Sequence, residues 1–207
     1  MTDIWPVVHA ERAALIADLE TLTPEQWATP SLCEGWDVHD VLAHLVDVAR
    51  TTRLGFVLAM ARARFDFDRQ NADGLAAHRG ATPTDTLAAF RAVRTWTATP
   101  PAPLETRLGE AFVHGEDIRR PLGLRGSYPT PYVVRSLALQ VRTDELWGGG
   151  KQRVAGVTLQ ATDAEYRHGD GPVVEGPALA LLLVTCGRSV ALDELSGPGL
   201  ERLAARP

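Results

Sequence analysis

The sequence predicts a mainly helical α+β protein. A four-helix-bundle-like domain is expected over residues 1–147, and a small α/β unit over residues 151–207. Three observations lead there. Apolar residues recur at helical spacing in successive segments as far as Trp147. A triple glycine, Gly148-Gly149-Gly150, interrupts that pattern. Beyond it, Val154 to Ala161 is rich in Val, Leu and Thr, the composition of a strand.

Taken in order, residues 3–22 read as a first helix, with Val7, Val8, Ala14, Leu15, Leu19 and Leu22 at roughly helical intervals. Thr23-Pro24-Glu25-Gln26-Trp27 has the form of a cap and one helical turn, with proline at its favoured first position. After a loop over residues 29–35, Asp37 can cap a second helix, and Asp40 occupies the capping-box position three residues on. That helix is expected to run to about Asp68, as the longest element. A loop over 71–82 precedes a third helix, opened by Pro83 and reaching Trp96, with Leu87, Phe90 and Val93 near one face. A proline-rich link over 97–103 leads to a fourth helix from about Glu105 to Arg120. A fifth is expected over Thr130–Trp147. Strands are expected in 154–161 and 172–175, joined through a turn at Tyr166–Gly171, then a helix from Gly176-Pro177 to Gly187 and a short tail.

Composition excludes several classes. At 207 residues with 45% hydrophobic and 23% charged residues, the chain can bury a sizeable core. A net charge of -5, with arginines scattered among acids, argues against a nucleic-acid partner. Lys151 is the only lysine. Cys33 and Cys186 form neither a CxxC pair nor a disulfide framework. No basic segment followed by an apolar run opens the chain, and the longest apolar run, Ala178 to Val184, is too short to span a bilayer. A cytoplasmic protein without a membrane partner is the expectation.

The chemistry concentrates in Gly109–Pro121. Glu110 and His114 stand four residues apart, which on a helix places both on one face, one turn apart. Asp117 follows at the next turn, where a carboxylate can orient an imidazole. Two donors do not make a zinc site, and His44 on the second helix is the best third. Two imidazoles and a carboxylate suit tetrahedral zinc with an open fourth position, although iron(II) accepts the same set. The stripe of 110, 114 and 117 lies beside the apolar stripe of Leu108, Ala111, Phe112 and Ile118. Periodicity alone fits ordinary boundary residues as well as a site at the lip of a bundle.

The run Ser31–Leu45, containing Cys33, Gly35, Trp36, Asp40, Ala43, His44 and Leu45, resembles a signature of the mycothiol-dependent maleylpyruvate isomerase superfamily, a branch of the DinB-like bundles. Residues Glu110–Pro121 resemble its second metal motif. Ala161–Asp163, Gly169–Pro172, Gly176–Ala178 and Leu181–Arg188 resemble its sterol-carrier-like C-terminal domain. The resemblance implies a DinB-like four-helix bundle holding a divalent metal, usually zinc, through His44, Glu110 and His114. It implies mycothiol as the thiol cosubstrate, held as thiolate, which adds to a small electrophilic substrate. Elimination after rotation would make an isomerase, and retention of the adduct an S-transferase.

Arg188 matches a family arginine that serves the active site, where it would clamp a carboxylate of substrate or cofactor. An arginine answering the dipole of its own helix is the competing account. Two other functions stay open on the residues: a hydrolase using zinc-bound water, and a non-catalytic small-molecule-binding module. Cys33 is expected as a small buried loop residue and Trp36 as a core plug beneath the His44 helix. His9, His39, His78 and His168 are expected at the surface. Asp40 or Asp47, one turn either side of His44, is expected to accept its second ring N–H.

Overall fold

The computed structural model describes residues 3–205 and divides into two compact units, one ending at Ser127 and the other beginning at Tyr128. The chain is mainly helical, with one small sheet confined to its C-terminal part.

In the first unit, α1 (Trp5–Leu19), α3 (Val38–Arg50), α6 (Pro83–Val93) and α7 (Thr106–Arg119) pack as a four-helix bundle, and α2 (Pro24–Trp27) is a single turn between the first two. The core is formed where the apolar faces meet: Leu15 and Leu19 from α1, Leu42 and Leu45 from α3, Phe90 from α6 and Ile118 from α7 are all buried. The start of α3 is fixed as its sequence requires. Asp37 accepts from the Asp40 backbone N–H at 2.7 Å, and Asp40 accepts in return from Asp37 N–H at 3.1 Å.

The single long helix expected from Asp37 to Asp68 is instead three elements: α3, α4 (Arg53–Arg62) and α5 (Phe67–His78). Thr51 is extended, and the Thr52 hydroxyl caps α4 by accepting from Gly55 N–H at 3.1 Å. Arg64 and Phe65 then turn the chain with φ of 58° and 64°, and Asp66 caps α5. The loop expected over 71–82 is thus mostly helix, packed along α3.

The second unit begins before the triple glycine. Helix α8 (Thr130–Gln140), shorter than the expected Thr130–Trp147, packs against α9 (Ala178–Thr185), so it belongs with the sheet and not with the bundle. Helix α8 falls in the second unit because it packs against α9, which is apolar except for Thr185. The sheet has the order β2-β1-β3, from β1 (Thr158–Ala161), β2 (Arg167–His168) and β3 (Val173–Gly176). The β1–β2 pair is antiparallel with Leu159 opposite His168, and β1–β3 is parallel with Leu159 beside Val174. Gly150 has a steric role: a Cβ there would stand 2.0 Å from the Thr185 carbonyl oxygen at the end of α9. A short helix, α10 (Leu200–Ala204), closes the described chain. No helix among the described residues is long and apolar enough to cross a membrane.

Candidate metal centre

Helices α3 and α7 pack side by side in the bundle, and that contact brings His44 to Glu110 and His114. His44 is buried at 5% exposure, on the side of α3 flanked by Val41, Leu45 and Val48. Its Nε2 lies 3.4 Å from Glu110 Oε2, and His114 Nε2 lies 3.2 Å from the same oxygen. The ligand atoms of the three residues all fall within 4.8 Å of one another.

Two features test whether this trio suits a metal ion. Nitrogen and oxygen donors about 2.0–2.2 Å from a tetrahedral zinc stand about 3.3–3.6 Å apart, close to both separations seen here. Glu110 Oε2 is also buried and makes no hydrogen bond, although two ring nitrogens adjoin it. A carboxylate oxygen this near two imidazoles without hydrogen-bond geometry to either is directed, with them, at a shared point. A three-donor set of two imidazoles and one carboxylate fits a divalent ion with one position left for another group.

The surroundings fix the donors. His114 Nδ1 is 2.8 Å from Asp117 Oδ2, and Asp117 is fully buried. A carboxylate accepts, so Nδ1 keeps its proton, and Nε2, facing Glu110, is the nitrogen that can offer a lone pair once its own proton is lost. The Cys33 thiol donates to the same Asp117 oxygen at 3.0 Å. Leu32 N–H donates to the Asp117 carbonyl at 3.2 Å, tying the loop before α3 to α7. On the other side, buried Arg107 donates through Nη1 to the Val48 carbonyl at 3.0 Å and lies 3.8 Å from Glu110 Oε1. Burial lowers the pKa of this guanidinium, against the attraction of Glu110 and Asp47.

Burial also opposes charge on Glu110, yet the imidazoles of His114 and His44 outweigh it and hold the carboxyl well below its ordinary range. For His114, burial favours the neutral ring, but Asp117, Cys33 and Glu110 together raise its pKa well above the ordinary value. In the metal-free protein the pair is therefore an imidazolium beside a carboxylate.

Several residues sit otherwise than their spacing suggested. Neither Asp40 nor Asp47 reaches His44, whose Nδ1 is buried without a hydrogen bond. Asp40 accepts from Arg79 Nε at 2.6 Å, and Asp47 Oδ1 lies 3.3 Å from His78 Nδ1. A residue one turn away on a helix points along the same face, but these two are drawn sideways to α5 and the loop after it. His39, expected at the surface, is buried, with Nε2 2.7 Å from the Thr86 hydroxyl. His78 is half-buried against Asp47, and His9 stacks on Trp5 at 5.7 Å. Cys33 is no passive loop residue, because it bonds the aspartate behind His114. Trp36 packs against the bundle core, its ring 5.2 Å from that of His44. Arg107 was not singled out from the sequence. Its place at the start of α7, three residues before Glu110, is the one signal that pointed to it. Arg188 follows α9 in the second unit, half-buried, with Nη1 donating to the Cys186 carbonyl at 2.5 Å.

Residues 8–119 match the family model described as the mycothiol maleylpyruvate isomerase N-terminal domain. The chain belongs to this family. That span takes in His44, Glu110, His114 and Asp117. Among solved structures, the chain is similar to the crystal structure of the mycothiol-dependent maleylpyruvate isomerase, at 16% identity and a TM-score of 0.65, covering 94% of this chain and 91% of that one. A histidine-to-alanine mutant of that isomerase is similar at 15% identity and a TM-score of 0.63, with the same coverage. At such identity these structures establish a shared fold, the fold of an enzyme, which extends through both units of the family member described here. No curated protein matches the chain.

Proposed function

We propose that this family member is a metal-dependent thiol enzyme, acting as an isomerase or S-transferase on a small electrophilic substrate, with mycothiol as cosubstrate and zinc as the metal. The reading places it in the cytoplasm. The observation that carries it is the convergence of His44 Nε2, Glu110 Oε2 and His114 Nε2, with the oxygen unsatisfied by hydrogen bonds.

A divalent ion bound there supplies positive charge that holds a sulfhydryl as thiolate near neutral pH. The chain's own residues have distinct tasks. Asp117 keeps His114 in the tautomer that offers Nε2. Arg107 stands behind the second oxygen of Glu110. The Trp36 ring packs beside His44, tilted 49° to its imidazole. In the isomerase case, the thiol sulfur forms a bond to one carbon of a conjugated double bond, and the π pair moves onto the conjugated carbonyl. The new single bond turns, and expulsion of the thiolate restores a double bond of the other geometry. A transferase keeps the C–S bond and takes a proton at the neighbouring carbon. Arg188 is proposed to clamp a carboxylate of substrate or thiol.

The test is turnover of a cis-enoate such as maleylpyruvate by the zinc-loaded protein, with and without mycothiol, beside zinc content. Turnover that needs the thiol supports the reading. Thiol-independent turnover by the zinc-loaded protein replaces it with hydrolysis by zinc-bound water.

A further inference from the structure

Helix α4 is apolar on two sides, and only one of them is used by the fold. Met60 is buried, with Phe56 and Ala59 half-buried near it on the wheel. At about 100° per residue, Leu54, Val57, Leu58 and Ala61 fall in a second stripe, about 100° wide, on a different side of the helix. All four are exposed, Leu54 at 69%. Phe65, in the turn that follows, is 76% exposed and has a φ of 64°, which bulky residues rarely take. Single exposed apolar residues are ordinary, but a contiguous stripe of them marks a contact surface.

The charges beside the stripe say what covers it. On the same wheel, Arg53 and Arg62 stand about 90° to either side of the stripe's centre, so an arginine lies along each border. Residues 48–65 hold four arginines, Arg50, Arg53, Arg62 and Arg64, all exposed, and no acid. The chain as a whole has a net charge of -5, so this stretch runs against it. The acids that flank it are engaged elsewhere: Asp47 lies 3.3 Å from His78 Nδ1, and Asp66 accepts from Arg69 N–H at 3.0 Å.

The occupant must therefore be apolar in the middle and negative at its edges. The boundary between headgroups and acyl chains of an anionic bilayer has that profile. Arginine suits its rim, because the stem stays with the acyl chains while the guanidinium reaches the phosphates. A second copy of the chain fits worse. Pairing two such stripes would gather four rim arginines around one contact, with no acid in either stretch to answer them.

We infer that α4 lies on the surface of an anionic phospholipid bilayer, with Leu54, Val57, Leu58 and Ala61 at the acyl boundary and Arg53 and Arg62 on the lipid phosphates. Such contact is peripheral and needs no spanning helix. It is independent of the metal reading, since none of these residues is one of the three donors.

The experiment is co-sedimentation of the full-length, metal-loaded protein with two kinds of vesicle, phosphatidylcholine alone and phosphatidylcholine mixed equally with phosphatidylglycerol. Binding to the mixed vesicles is expected, with the neutral ones bound at least about tenfold more weakly. Arg53→Gln/Arg62→Gln is expected to weaken binding to the mixed vesicles about 10–30-fold, the effect of two cations at an anionic surface. Leu54→Ser/Leu58→Ser is expected to weaken it about tenfold or more, through lost apolar burial. Both pairs are exposed, so metal content and helicity should match the parent. Should the serine variant lose helix, the arginine pair and the lipid comparison still decide. No binding to the mixed vesicles overturns the inference, and so does equal binding to both kinds. Binding that neither variant weakens puts the contact elsewhere on the protein and overturns it too. An effect of the arginine pair without one of the leucine pair replaces the lipid with an acidic protein segment, for which polyglutamate is the probe. A dimer in sedimentation equilibrium that the leucine pair abolishes, without vesicle binding, replaces it with a second copy.

Discussion

The imidazole of His114 donates a hydrogen bond from Nδ1–H to Asp117 Oδ2 across 2.8 Å, one turn along the same helix, and the Cys33 thiol donates one to the same oxygen. The aspartate is buried and selects which ring nitrogen faces Glu110. Asp117→Ala is expected to lower metal affinity about 10–100-fold, the usual cost of losing an outer partner of a ligating histidine. Cys33→Ser, which keeps a donor to Asp117, is expected to cost much less. Competition with a chelating dye measures both, and equal losses in the two variants would remove Asp117 from its orienting role.

Ligand and substrate roles separate by mutation. His44→Ala leaves one carboxylate and one imidazole, so zinc and turnover should disappear together. Arg188→Ala should retain full zinc and lose substrate or thiol use, since a guanidinium binds carboxylates and not metals. Zinc loss in Arg188→Ala, by metal analysis of the purified variant, would contradict the assignment of both residues.

The charge state of the metal-free pair sets a pH dependence. Metal must displace the proton of His114, so affinity should fall about tenfold per pH unit below that residue's raised pKa. For the metal-free fold, the stability that His114 contributes is complete below its ordinary 6.5 and is lost as pH rises through its higher folded value. The contribution of Glu110 is present above 4.5 and is lost as pH falls through its depressed value. Metal-free protein should therefore lose stability on the alkaline side, where metal binds best. The gap in Tm between loaded and free protein should widen as pH rises. Thermal melts across that range check it, and a narrowing gap would refute the ion-pair description.

Much of this was legible in the sequence because local chemistry governs it. Asp37 and Asp40 announce the start of α3, and so the register that points His44 at α7. The four-residue spacing of Glu110 and His114 needs nothing beyond helical geometry. Other features depend on packing that no local pattern carries. Thr51 and Thr52 break a helix without glycine or proline, and Arg64 and Phe65 enter the left-handed region despite their side chains. The Cys33–Asp117 bond joins a loop to a helix 84 positions away, beyond any periodicity. Helix α8 is helical like the bundle before it, and only its packing against α9 groups it with the second unit.

The bundle that holds the centre is fastened by a buried charge cluster. Arg119, at 1% exposure, donates to Glu11 at 2.5 Å and to Asp18 at 2.7 Å, locking the end of α7 to α1. Burial lifts the Glu11 carboxyl from 4.5 to about 7, and the attraction of Arg119 limits that rise. A carboxyl that holds its proton more tightly when folded costs stability as pH rises from its unfolded towards its folded value. Without Arg119 the rise in pKa is unopposed, so the penalty grows with pH. Arg119→Ala should cost about 3–5 kcal/mol at pH 8, where Glu11 would be a buried, uncompensated charge. At pH 5 the cost should fall to about 1–3 kcal/mol, because Glu11 is then neutral in the fold and the losses are hydrogen bonds and the partly exposed pair with Asp18. Glu11→Gln in the Arg119→Ala background should remove most of the difference between the two pH values. Urea denaturation of the chelator-treated proteins gives each free energy directly. A cost independent of pH would show that Glu11 is not the group that Arg119 keeps charged.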